Sequence, residues 1–331
     1  MSHEAAPFQS KSQSRSQSWS APAKIFVAGE YLALEGLPSI VLALPPRFRL
    51  RRARAGEAAM QWPAASPAGL LRQDLSVGPS EAEAFVFEDP FGGSGGFGAS
   101  SAQFALEWNA SLPPLAKGEE SFECWRRYRA LLSESVAAET RIPSGADLIA
   151  QLRGGLGMFS VDPVRGPAYE DLSLALDSFH FVVFSAARKS GRKVATHEHL
   201  GGLGGDPRLR RGSALFESLS GCVSGIRDAL LSGNGVELGN LLIEYAERLG
   251  SAGLENSESR SERERLSAIP GVLGAKGAGA LLSDALLALV DTRDAAATSD
   301  ILRNLTGEAE SLGLSLVCDH VRREAGARSD D

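Results

Sequence analysis

The stretch Gly92-Gly93-Ser94-Gly95-Gly96-Phe97-Gly98-Ala99-Ser100-Ser101-Ala102 places five glycines in seven residues and follows them with two serines. Glycine permits unusual dihedrals, and without a side chain its main-chain N–H groups can approach an anion closely. A helix start directly after it adds unpaired N–H donors and a positive dipole end. The serine hydroxyls can cap that helix or ligate magnesium. The pattern is not a Walker loop, because no Lys-Ser/Thr pair follows the last glycine. It also lacks the acidic residue about 20 positions on that a dinucleotide fingerprint requires. A flexible glycine-rich linker is the plain alternative. Further on, Arg188, Lys189, Arg192 and Lys193 surround Ser190-Gly191, four cations in six residues. That turn could hold a phosphate or could simply be solvated. Thr196 and His197-Glu198-His199 lie just beyond, and no third metal ligand is placed near the two histidines.

These groups need elements to position them. Lys24 to Ala28 is a short apolar run that suits a buried strand, and Ser39 to Leu44 suits its partner, with Gly29 and Gly36 as turn punctuation. Ser100 to Trp108 predicts a helix. Trp125, Tyr128, Leu131 and Leu132 give helical spacing within the polar stretch from Lys117 to Arg141. Phe179 to Phe184 predicts a strand. Ala214 to Leu231, Val236 to Leu249, Leu281 to Val290 and Ala296 to Leu312 predict helices, and Leu314 to Cys318 a closing strand. Strands mixed with helices, without regular alternation, predict an α+β fold. Arg47 to Arg54 carries five arginines in eight residues. Its alternation with Phe48 and Leu50 predicts the solvated face of a strand, not a ligand patch.

Composition narrows the function classes. A chain of 331 residues exceeds one ordinary domain, and 43% hydrophobic with 23% charged residues suits a soluble protein with a substantial core. A net charge of −7 argues against a nucleic-acid partner. No apolar run approaches the roughly 18 residues that span a bilayer, and the N-terminus lacks a signal-peptide core, so no membrane partner is expected. Cys124, Cys222 and Cys318 lie far apart, which fits a reduced, cytoplasmic compartment. Residues 1–18, rich in Ser and Gln, predict a disordered tail. A homodimer is left open.

Four segments in order resemble the GHMP kinase family. Ser20-Ala21-Pro22-Ala23-Lys24-Ile25-Phe26-Val27-Ala28-Gly29-Glu30-Tyr31 resembles its first motif, APGK followed by apolar residues and GE. Gly96 to Ala102 resembles the second, GLGSSAA. Pro143-Ser144-Gly145-Ala146-Asp147 is similar to PSGxD, and Gly274-Ala275-Lys276-Gly277-Ala278-Gly279-Ala280 resembles the third, glycine-rich turn. The departures are Ala23 for glycine, Ala99 for the first serine of GSS, the missing proline before the loop, and Leu281-Leu282 where glycines often sit.

The resemblance implies a two-domain fold, residues 19–175 and 176–331, with the active site in the interdomain cleft. It implies phosphoryl transfer from ATP, with Mg2+, to a hydroxyl of a small-molecule substrate. Asp147 becomes the group that orients or deprotonates that hydroxyl, although the local residues alone favour a helix cap. Lys24 becomes the cation at the hydroxyl or the transferring phosphate. Gly95, Gly96, Gly98, Ala99, Ser100 and Ser101 become the nucleotide loop, with Ser100 on magnesium and Glu134 or Glu139 as its acidic partner. Glu30, Tyr31, Ser144, Gly145, Arg192, Lys193, Thr196, Lys276, Gly277 and Ala278 become substrate contacts. Gly29-Glu30-Tyr31 and Leu34-Glu35-Gly36 look closer to phosphomevalonate kinases than to mevalonate kinases, and then the basic turn would hold the acceptor's phosphate. Mevalonate, another alcohol such as homoserine or a sugar, and a non-catalytic metabolite sensor are the alternatives.

Overall fold

In a computed structural model of the chain, the described residues are 18–75, 84–112, 120–135, 141–186, 206–278 and 285–330. The Ser-rich segment up to residue 17 lies outside them.

Strand β1 (Ser18–Ala28) is buried along almost its whole length, and its small residues allow cover on both faces. It pairs antiparallel with β2 (Ser39–Arg52), Lys24 opposite Ala43. One end of β2 pairs with β3 (Phe85–Glu88), the other with β4 (Leu156–Asp162), and β4 pairs with β5 (Gly166–Asp171). The last strand, β10 (Arg328–Ser329), returns from the chain's end to the free side of β1, completing a six-stranded sheet. A second, four-stranded sheet has the order β7 (Val272–Gly277), β8 (Ala285–Val290), β6 (His180–Ser185), β9 (Ser315–Cys318). All its pairings are antiparallel.

The helices are α1 (Pro67–Asp74), α2 (Ala99–Ser111), α3 (Glu120–Ser135), α4 (Ala146–Arg153), α5 (Ala214–Ser232), α6 (Gly235–Ser251), α7 (Ser257–Ser267) and α8 (Ala295–Ser311). Strand alternation sorts side chains into layers. Phe26, Val41 and Phe159 meet Trp125, Ala146, Ile149 and Ala150 on one face of the first sheet. Ile25, Val27, Ile40 and Leu42 point the other way, into a continuous core shared with Phe181, Val183, Leu287 and Leu289 and with helices α5 and α6. Val182, Phe184, Leu286 and Ala288 face α8 instead. This mixed arrangement of two antiparallel sheets with helices is the expected α+β class. Among the described residues no helix is long and apolar enough to cross a membrane.

Three expectations are corrected. Leu281 to Val290 was expected to be a helix, but Ala285–Val290 is the buried central strand β8; an unbroken apolar run carries no period to separate the two. The glycine-rich turn around Lys276 is a strand for Val272–Gly277, paired antiparallel with β8, and α6 packs on it so closely that a Cβ at Gly239 would lie 2.3 Å from the Leu273 carbonyl oxygen and one at Gly274 2.5 Å from that of Gly239. Along Arg47 to Arg54 the alternation holds, with Phe48 and Leu50 buried. Arg47, however, is not solvated. Its guanidinium donates to Ser20 and to the carbonyls of Ala325 and Gly326, and pairs with Glu324 at 3.2 Å, clamping the C-terminal segment onto the sheet.

Candidate active site

The glycine-rich segment is a folded turn that ends in a helix. Asp89 accepts from the N–H groups of Phe91 and Gly93 at 2.8 and 2.7 Å, and Phe91 stacks on fully buried Phe97 with ring centroids 4.2 Å apart. The Phe97 carbonyl accepts from the Lys24 N–H at 3.1 Å, so the loop is pinned to β1 at the residue whose side chain matters most. Gly98 caps α2 with φ of 86°, a left-handed conformation that disfavours any Cβ. A Cβ there would also sit 3.0 Å from the Lys24 Cγ and Cε and from the Gln151 Nε2. Ser101 is buried and its Oγ donates to the Gly98 carbonyl. Ser100 is exposed in the first turn, beside half-buried Ala99, and its hydroxyl makes no hydrogen bond with the described residues. Gly95 is exposed and Gly96 half-buried with φ of 90°. The exposed first turn of α2 presents backbone donors that lack intrahelical acceptors, together with the positive end of the helix dipole.

Asp147 lies in the first turn of α4, half-buried. The segment before it is held by α3: Trp125 Nε1 donates to the Ser144 carbonyl at 2.8 Å, and Arg129 donates to the carbonyls of Ile142 and Pro143. Gly145 adopts φ of 74° with the indole edge 2.6 Å from where its Cβ would be. Ser144 Oγ accepts from the Ala146 N–H. Among the described residues Asp147 accepts only from the adjacent Leu148 N–H, and its carboxylate forms no ion pair with them.

Lys24 faces this loop because Ile25 and Val27 take the opposite side of β1 into the shared core. Its side chain is 6% exposed and its ammonium sits 4.8 Å from the Phe26 ring centroid, without a hydrogen bond or ion pair to the described residues. Burial holds its pKa below the ordinary lysine value, and the nearby charges of Asp147 and Glu30 oppose that shift. Loop, lysine and aspartate, 123 positions apart in sequence at the extremes, therefore meet at one place.

The expected substrate contacts divide. Lys276 has no exposed surface; its Nζ lies 3.2 Å from Glu30 Oε1 and donates to the Phe26 carbonyl. Tyr245 Oη donates to Glu30 Oε2 at 3.0 Å and accepts from the Gly29 N–H at 2.9 Å. Tyr31, fully buried, donates to the Leu254 carbonyl. Glu30, Tyr31 and Lys276 thus bond within the protein and join β1 to β7 and α6. Gly277 is half-buried and Ala278 buried beyond them. Ser144 and Gly145 do lie beside Asp147. Arg192, Lys193 and Thr196, with the rest of the basic turn and Glu139, lie outside the described residues. Glu134 is exposed on the last turn of α3.

Two contributors were not singled out from sequence. Tyr245 gives no local signal, because its partners lie more than 200 positions away. Gln151 does give one: it stands four residues after Asp147, on the same face of α4. Among the described residues no group of three or more His, Cys, Asp or Glu side chains lies together. Magnesium at a phosphate site needs few protein ligands beside the phosphate oxygens, and the Ser100 hydroxyl, without a hydrogen bond among the described residues, suits it.

No family model matches the chain, and no curated protein matches it in sequence. Solved structures do match in fold. L. major mevalonate kinase, solved with R-mevalonate, is 16% identical over 98% of this chain and 100% of its own, with a TM-score of 0.64. Streptococcus pneumoniae phosphomevalonate kinase is 16% identical over 94% and 100%, with a TM-score of 0.67. Lactococcus lactis galactokinase, solved with galactose, is 12% identical over 96% and 95%, with a TM-score of 0.66. The chain has the fold of the GHMP kinases over essentially its full length.

Proposed function

We propose that the chain is a GHMP-type phosphotransferase that moves the γ-phosphoryl group of ATP to a hydroxyl of a small molecule, with phosphomevalonate as the first acceptor to test. The observation that carries this reading is the Lys24 ammonium, buried and without a bonding partner among the described residues, set between the N-cap of α2 and Asp147. A buried unpaired cation is costly unless an anion completes it, and a phosphoryl group beside the loop is such an anion. The complex of the pneumococcal phosphomevalonate kinase with phosphomevalonate and AMPPNP supports ATP as the donor.

In this mechanism the backbone donors of the loop and of the α2 first turn bind the nucleotide phosphates. Magnesium would be held by Ser100, with Glu134 or Glu139 as its acidic partner, and would neutralise charge on the nucleotide phosphates. Asp147 orients the acceptor hydroxyl and takes its proton as the oxygen attacks the γ-phosphorus and ADP leaves. Lys24 stabilises the charge that builds on the transferring group, in a site where burial strengthens that interaction.

The choice of acceptor rests on Gly29-Glu30-Tyr31 and Leu34-Glu35-Gly36, whose resemblance to phosphomevalonate kinases is the only guide at 12–16% identity. A coupled ADP-release assay with Mg-ATP, run in parallel against phosphomevalonate and mevalonate, tests it. Turnover on phosphomevalonate alone is expected. Turnover on mevalonate alone moves the substrate and keeps the mechanism. ATP binding without turnover on either overturns the mevalonate assignment.

A further inference from the structure

Gln151 is the one polar side chain that touches both other motif segments from the helix carrying Asp147. It is fully buried in α4, and its Nε2 donates to the Pro22 carbonyl at 3.0 Å and to the Gly98 carbonyl at 3.1 Å. Pro22 precedes Lys24 by two residues on β1, and Gly98 is the residue that caps α2. The Lys24 stem packs beside the same amide: Gln151 Nε2 and the Lys24 Cγ and Cε all lie 3.0 Å from the point where a Gly98 Cβ would be. The backbone of Gln151 is engaged as well, its carbonyl accepting from the Ala327 N–H at 2.7 Å. Both amide hydrogens must face carbonyl oxygens, which fixes the orientation of the amide. Its Oε1 is then left buried with no partner among the described residues.

That orphan acceptor is informative. A buried amide with an unmet oxygen is less favourable than an apolar side chain of the same shape, so packing alone gives no reason for glutamine here. Leu or Met would fill the space and remove the orphan Oε1, but would take the donor from the Pro22 and Gly98 carbonyls. What they would not do is hold two carbonyls, from two different segments, at a fixed distance from α4.

We infer that Gln151 is a positioning residue of the phosphotransfer site, setting the phosphate loop, the Lys24 strand and the Asp147 helix in one register. The inference rests on the proposed kinase reading. Its geometry makes a definite demand: loss of the two donors frees the Pro22 carbonyl and loosens the cap of α2, so the loop and Lys24 no longer meet a phosphate together. The polar face of α4 then has two tasks four residues apart, acceptor chemistry at Asp147 and nucleotide registration at Gln151.

The test is the affinity of the full-length protein for Mg-AMPPNP by calorimetry, at a temperature well below the melting transition of every variant. Gln151→Met keeps the shape and removes both donors; about a tenfold weaker Kd is expected, roughly 1.4 kcal/mol. In a Lys24→Ala background the same change should weaken binding by less than about threefold, because both residues act on the same phosphates. A merely structural glutamine would lower the melting temperature and leave both the Kd and the coupling unmoved. If Gln151→Met does not fold, Gln151→Asn retracts the amide by one methylene, keeps its chemistry, and should weaken Kd in the same direction. Wild-type binding with unchanged Kd in the folded variant overturns the inference and leaves the kinase reading standing. A wild-type protein that does not bind Mg-AMPPNP overturns both.

Discussion

Lys276 Nζ lies 3.2 Å from Glu30 Oε1, an ion pair with no meaningful solvent exposure on either side chain. It joins the end of β1 to β7, elements that belong to different sheets. The carboxylate's other oxygen accepts from Tyr245, and the tyrosine oxygen in turn accepts from Gly29. Burial and the adjacent carboxylate both push the Tyr245 pKa up, so the hydroxyl stays a donor at any working pH. Here two residues of the family-like motifs hold the sheets together.

Removing one member of this pair leaves the other charge buried and alone. Lys276→Met is expected to lower the unfolding free energy by about 3–5 kcal/mol, while the double variant Glu30→Gln/Lys276→Met recovers most of the loss. Urea titration of the wild type, Lys276→Met, Glu30→Gln and the double variant checks it. A Lys276→Met protein with unchanged midpoint would show that the pair contributes nothing net.

Asp147 lies in the first turn of its helix and forms no ion pair with the described residues, which suits a role on an acceptor. Asp147→Asn is nearly the same size. It is expected to lower kcat by about 10²–10⁴-fold in the ADP-release assay. Stability should change by less than about 1 kcal/mol, and Mg-AMPPNP affinity should hold. Loss of nucleotide binding instead would make the residue part of the ATP site and not the acceptor's base.

Much of this was legible in the sequence, and the failures have physical causes. Strand β6 was visible because Phe179 to Phe184 is a short β-branched and aromatic run bounded by polar residues. Helix α2 was visible because the glycines stop where periodic apolar residues begin. Strand β8 was misread because Ala285–Val290 is buried on both faces and so shows no alternation. Helix α7 went unseen because its run SESRSERERLS is nearly all polar; it is fixed by an Asn256 cap and by buried Arg263 paired with Glu255. In the site, Lys24, Gly98 and Asp147 were named from short motifs. Glu30 and Lys276 were named too, but their pairing joins positions 246 apart, and no local pattern shows that two charges will be buried against each other.

Glycines give a paired prediction. Gly145→Ala forces a left-handed residue to carry a Cβ and drives it to 2.6 Å from the Trp125 ring. The backbone conformation alone costs about 1–2 kcal/mol, and displacement of the indole would free the Ser144 carbonyl and move Asp147. Lower stability and lower kcat together are expected. Gly221→Ala, in α5 where an added Cβ meets nothing within 4 Å, should instead stabilise the protein by about 0.5–1 kcal/mol and leave kinetics alone. Thermal melts and steady-state rates on both variants decide it.

The lysine beside the loop ties stability and activity to pH in opposite directions. Burial lowers the Lys24 pKa from the 10.5 of an unburied lysine, so the unfolded chain holds this proton more tightly than the folded one. Between the lowered folded pKa and 10.5 the unfolded state binds more protons, and the Lys24 contribution to stability rises with pH across that window. Catalysis needs the ammonium, so kcat/KM should fall as pH rises through the same lowered value, giving an alkaline limb below pH 10.5. Lys24→Met removes the buried charge; it is expected to raise the melting temperature at neutral pH and to lower kcat by about 10²-fold or more. Lys24→Arg keeps a charge that does not titrate in this range, so whatever activity it retains should lose the alkaline limb. A limb that persists unchanged in Lys24→Arg would assign it to another group and remove Lys24 from the transfer step.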